Sequence, residues 1–156
     1  MDRISPSQQA LVDASAEREK LAARYLGIAE VSTLLGRQSR AGRDYVSQMR
    51  REGKLLAVYV THPRASYRYP DWQFCSDGQP VGQLGHILKI LRDFGPFERE
   101  PDGLRRTTGW GELEWFLSPH ALLDGATPAA SLATDPLRVV LAARVEFESE
   151  LLQDGC

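Results

Sequence analysis

The spacing of apolar residues along the chain changes several times, and each change marks an element. From Ser7 to Tyr25, Leu11, Ala14, Leu21 and Ala22 keep roughly helical spacing on an otherwise polar surface, with Ser5-Pro6 as a start signal. This predicts an outer helix, ended by Gly27, that packs on its own domain or pairs with a second chain. Ile28, Val31, Leu34 and Leu35 then form an i, i+3, i+6, i+7 stripe, the buried face of a short helix stopped by Gly36. After the polar turn Arg37-Gln38-Ser39 a second helix is predicted from about Arg40 to Glu52, with Tyr45, Val46 and Met49 facing inward and Gly53 closing it. Two short amphipathic helices joined by a Gly-containing turn have the sequence form of a helix-turn-helix.

The period then switches. Leu55 to Val60 has the β-branched and aromatic content of a strand, Thr61 to Ala65 reads as a turn, and Ser66 to Tyr69 alternates like a returning strand ended by Pro70. A hairpin placed there corresponds to the wing of a winged helix-turn-helix, anchored by Trp72-Gln73-Phe74. Asp77-Gly78-Gln79-Pro80 is the expected boundary between a domain of residues 1–76 and one of residues 77–156.

In the second half Leu84, Ile87, Leu88 and Leu91 mark a helix ended by Gly95-Pro96, and residues 98–109 read as an exposed connector. Trp110 to Leu117 is a short aromatic helix ended by Ser118-Pro119, and Leu122 to Gly125 a turn. Thr127-Pro128 and Asp135-Pro136 each combine an N-cap with a proline in the first turn, and so open two further helices. The last carries Val139, Val140, Ala143, Val145 and Phe147 on its apolar side. The fold expected is mainly α, a helix-turn-helix with a small hairpin plus a C-terminal helical domain.

Charge sharpens this picture. The net charge is −2, but residues 1–75 hold 12 Lys+Arg against 8 Asp+Glu, while residues 76–156 hold 7 against 13. Between Arg37 and Lys54 lie six basic residues (Arg37, Arg40, Arg43, Arg50, Arg51, Lys54) and two acids (Asp44, Glu52). A helix with that surface suits the major groove, where Arg pairs with guanine and Gln with adenine. Ser39, Arg40, Arg43 and Gln48 are the candidates near base edges, and Ser47 lies with them on the DNA-binding side opposite Tyr45, Val46 and Met49; Arg50, Arg51 and Lys54 are candidates for phosphates. Arg64, at the hairpin tip, is placed to reach the backbone or minor groove. A solvated basic helix face, or one used for a protein partner, is the alternative.

Little points to catalysis. His62, His86 and His120 share no motif with cysteine or aspartate, and Cys75 and Cys156 have no ligand cluster around them. Glu112 and Glu114 fall on different helix faces. No enzyme, metal or cofactor is expected. No run approaches the roughly 18 apolar residues of a membrane span. The opening Met1-Asp2-Arg3-Ile4 leads into no signal-peptide core, so a cytoplasmic location is expected. Of the cluster Trp110, Trp115 and Phe116, core positions are expected for Trp115 and Phe116, with Trp110 open.

The segment WGELEWFLSPHALLDGATPAASL, residues 110–132, followed by Asp135-Pro136 and an alanine-containing helix, resembles the toxin-binding domain of Xre/MbcA/ParS-type antitoxins. Pro119, Leu123, Gly125, Thr127, Pro128 and Leu132 fit that pattern, while His120 stands where asparagine is usual. The block YRYPDWQF, residues 67–74, is similar to the one following the helix-turn-helix in MbcA-like members. The resemblance covers about residues 28–147. It implies a homodimeric antitoxin that represses its own operon and neutralises a toxin, typically a NAD-consuming RES-domain enzyme. It also implies toxin contacts at Trp110, Pro119, Leu123, Thr127 and Pro128, and obstruction of the toxin's site by Glu148, Glu150, Leu151 and Leu152. The other expectations are a stand-alone regulator whose C-terminal half only dimerises, and a protein adaptor without DNA binding.

Overall fold

A computed structural model describes residues 5–37, 39–62, 64–97 and 108–148. Among them are seven α-helices and one two-stranded antiparallel sheet, a mainly helical fold with a small hairpin. The elements are α1 (Pro6–Ala23), α2 (Ile28–Leu34), α3 (Arg40–Arg51), β1 (Val58–Val60), β2 (Ser66–Arg68), α4 (Leu84–Phe94), α5 (Trp110–Leu117), α6 (Pro128–Leu132) and α7 (Pro136–Ala143). A wider π turn, Arg144–Glu148, continues α7. No helix among the described residues is long and apolar enough to cross a membrane.

Local chemistry sets the ends. Ser5 and Gln8 close a reciprocal capping box at α1 around Pro6. Thr127 and Asp135 accept from the third backbone N–H of α6 and α7, and each helix has proline in its first turn. The β1–β2 register pairs Tyr59 with Tyr67, and a bridge between Leu26 and Tyr69 ties the hairpin to the α1–α2 linker.

Two apolar clusters meet along residues 55–60. Val31, Leu35, Val46, Met49, Leu55, Ala57 and Tyr69 form the smaller one, under the helix-turn-helix. Leu56, Val58 and Val60 join the larger, with Ala22, Ile87, Leu91, Phe116, Leu132 and Val139 among its members. Successive side chains of an extended segment point to opposite sides, so this uninterrupted apolar run lines both clusters at once. Its hydrogen-bonded ladder is shorter than the expected Leu55–Val60 strand, covering only Val58–Val60. The larger cluster spans residues on both sides of residue 77.

Gln73 joins these layers. Fully buried, it accepts from the Leu56 N–H (2.8 Å) and donates to the Leu56 and Pro70 carbonyls (2.9 Å each). Of Trp72-Gln73-Phe74, the polar member is thus the most deeply anchored.

Three expected core positions lie elsewhere. Leu34 is 39% exposed, at the edge of the α2 stripe rather than under it. Tyr45 is 37% exposed, its ring covered by the Arg37 guanidinium at 4.2 Å instead of by the core. Val145 is 47% exposed and shares its side with Leu137 and Leu141, because at 100° per residue it falls away from the Val139–Ala143 face.

Candidate nucleic-acid interface

The helix-turn-helix is closed by unusually near contacts. Gly36, at φ +76°, turns the chain after α2 where a side chain would be strained. The Ser32 hydroxyl donates to the Arg37 carbonyl, and the Arg37 N–H donates to the Ser32 carbonyl at 2.8 Å. Ser39 caps α3, its hydroxyl accepting from the Gly42 N–H at 3.1 Å. Gly42 is buried against this turn, and a Cβ there would overlap the Arg37 carbonyl oxygen. The hydrogen at Gly42 therefore sets how closely α3 crosses α2. In the sequence, the signal for this close crossing is a glycine inside an otherwise amphipathic helix.

This packing buries Gly42, Val46 and Met49 and leaves Arg40, Arg43, Gln48 and Arg51 exposed. Arg37, stacked on Tyr45, adds a cation near the start of α3. The remaining candidates divide. Ser47 is half-buried and lines a groove of about 440 Å³ between α3, the start of α2 and the hairpin, with Arg64 and Arg68 on the hairpin side. Arg64 itself is exposed. Gln48 donates to Glu52 at 2.9 Å, and Lys54 lies 3.1 Å from the same carboxylate. The hydrogen bonds from Gln48 and then Lys54 hold the Glu52 carboxyl below its ordinary range, so these two side chains already serve an acid.

Arg50 points away from the exposed face. Its guanidinium sits 3.7 Å above the Tyr67 ring, and its Nε is buried. Beside it, burial pushes the Tyr69 phenol up from 10.0, against the opposing pull of Arg50. Arg50 thus ties α3 to the hairpin. At the next residue, Arg92 of α4 donates to the Arg51 carbonyl at 3.1 Å and covers the C-terminal end of α3.

In the second half, Trp110 is buried and donates from Nε1 to the Tyr59 carbonyl at 2.9 Å, fixing α5 to the outer edge of β1. Leu123 and Pro128 are buried too, Thr127 is the α6 cap, and Pro119 is exposed. Glu148 pairs with Arg144 at 3.0 Å; Glu150, Leu151 and Leu152 lie outside the described residues. His120 accepts at Nδ1 from the Leu122 N–H (3.1 Å), the capping role an asparagine oxygen would play. Its Nε2 meets Glu146 at 2.9 Å, and Trp115 Nε1 donates to the same carboxylate at 3.2 Å. Leu137, Leu141 and Val145, at 66%, 55% and 47% exposure, make an open aliphatic stripe along α7, with Leu122 nearby.

Among the described residues no group of His, Cys, Asp and Glu could hold a metal ion. No family model matches the chain, and no curated protein does. Among solved structures the chain is similar to the NMR structure of Rv2175c, with 27% identity over 79% of this chain and 80% of that one, at a TM-score of 0.59.

Proposed function

We propose that the protein is a cytoplasmic, non-enzymatic DNA-binding regulator that lays α3 in the major groove with the hairpin flanking it. One observation carries this reading. The contacts that bury Gly42, Val46 and Met49 leave Arg40, Arg43 and Arg51 exposed on a helix whose start is free of acidic side chains. Phosphate attraction supplies affinity there, and the arginines nearest the Ser39 cap read base edges. The test is electrophoretic or anisotropy titration on duplexes from the promoter of its own operon. Saturable binding that weakens steeply with salt supports the proposal. Equal binding by wild type and the Arg40→Ala, Arg43→Ala double variant overturns it.

A second reading, that this regulator is also an antitoxin for a RES-type NAD-consuming toxin, is favoured by the exposed Leu137 and Leu141 on α7. On this reading the partner docks on α7, and Leu123 and Pro128, on the elements packed against it, support the surface. Purification of the tagged chain from its native cells tests it. A stoichiometric enzyme retained through a high-salt wash, and lost on Leu141→Asp, supports the antitoxin role. Recovery of the protein alone leaves the stand-alone regulator.

A further inference from the structure

Two half-buried polar side chains line one groove, the gap of about 440 Å³ between α3, the start of α2 and the hairpin. They are Arg68 of β2 and Ser47 of α3, and neither has a hydrogen-bond or ion-pair partner among the described residues. Arg40, Arg43 and Arg51 stand in open solvent, where an unpaired guanidinium keeps its water. Arg68 has given up part of that water, with its Nη1 lying 3.5 Å from where a Cβ on Gly27 would stand. An anion that replaces the lost water stabilises such a group. Glu30 is the one acid lining the groove among the described residues, and its carboxylate is turned onto the Gly27 N–H at 3.3 Å. With Arg64 on the hairpin side, the lining carries more positive than negative charge.

We propose that this groove seats the sugar-phosphate backbone of one DNA strand, with Arg68 and Ser47 as ligands to a phosphate. The proposal rests on the reading that lays α3 in the major groove, and gives that reading a place for the strand. In B-DNA each backbone is the ridge between a major groove and the neighbouring minor groove. With α3 on one side of the ridge and the hairpin on the other, the strand must run through the gap between them. That gap is where the unpaired guanidinium and hydroxyl lie. A phosphate gripped from both elements fixes the register of α3 on the duplex and reads no sequence itself.

Anisotropy titrations of the full chain at several salt concentrations test this, on a promoter duplex and on a scrambled duplex of equal length. Arg68→Ala is expected to weaken both complexes alike, by about tenfold, and to lower the salt slope by about 1 with unchanged circular dichroism. Arg68→Lys restores the slope, since a phosphate accepts a point charge. Glu30→Gln tightens both complexes, because the amide oxygen still accepts from Gly27 while the repelling charge is gone. If the Arg40→Ala, Arg43→Ala variant loses binding while Arg68→Ala keeps its affinity and slope, the seat is overturned and the DNA reading stands. A loss on Arg68→Ala confined to the promoter duplex marks a base contact and also overturns the seat. A wild type that binds neither duplex overturns both.

Discussion

The side chain of Gln73 occupies the place of a missing strand: its amide pairs with both backbone groups of Leu56, at 2.8 and 2.9 Å, from 17 positions along the chain. Leu56 belongs to the larger core and its neighbours Leu55 and Ala57 to the smaller, so this amide fixes the segment on which both depend.

Replacing Gln73 with leucine strands the Leu56 N–H, the Leu56 carbonyl and the Pro70 carbonyl in an apolar interior. At about 1–3 kcal/mol per unsatisfied group, with some relief from water, a loss of roughly 3 kcal/mol is expected. Urea unfolding measures it, as a lower midpoint at unchanged slope. A loss below about 1 kcal/mol refutes this account of the residue.

Gly42→Ala is expected to harm function more than its size suggests. The added methyl meets the Arg37 carbonyl, which the Ser32 hydroxyl holds in place, so α3 must move away from α2. A cost of about 1–3 kcal/mol is typical of such overpacking. DNA affinity falls further than stability, because the displaced helix carries Arg40 and Arg43. Parallel unfolding and anisotropy titrations separate the two effects.

Arginines on the same helix are expected to fail differently. Arg40→Ala and Arg43→Ala each weaken DNA binding by about 1–3 kcal/mol if they read bases, or lower the salt slope by about 1 if they touch phosphate. Thermal stability stays within about 0.5 kcal/mol, since both side chains are exposed. Arg50→Ala does the reverse, lowering the melting temperature through loss of its stack on Tyr67. Equal loss of stability in all three variants contradicts the assignment.

Alkaline pH is expected to loosen the hairpin. Burial raises the Tyr69 phenol above its unfolded value of 10.0, so folding favours the neutral form. That contribution is complete below pH 10.0 and is lost as pH rises through the folded-state value. Tyr25 is raised for the same reason and adds to the effect. Urea midpoints measured through this range fall for the wild type and fall less for Tyr69→Phe.

Periodicity made most of the helices legible. Ser-Pro, Thr-Pro and Asp-Pro pairs located the starts of α1, α6 and α7, and the glycine after α2 located its turn. What stayed hidden depends on contacts far apart in sequence. Nothing near Gln73 announces that its amide faces Leu56, and nothing near Arg50 says that Tyr67 turns it inward. Tyr45 counted as inward by spacing, but Arg37 across the turn offered it another place. His120 likewise hides its role, its imidazole nitrogen capping the turn that follows by accepting from the Leu122 N–H.

Arg92 caps the last turn of α3 from across residue 77, and the larger core draws side chains from both sides of that point. The half that carries the arginine-rich helix is consequently not a transferable module. Cut after residue 76, it loses the lid on its helix end and bares Leu56, Val58 and Val60, an aggregation-prone apolar edge. The intact chain, with its shared core, is expected to melt in one cooperative step, and recombination exchanging its halves must carry matched interiors to leave a working protein.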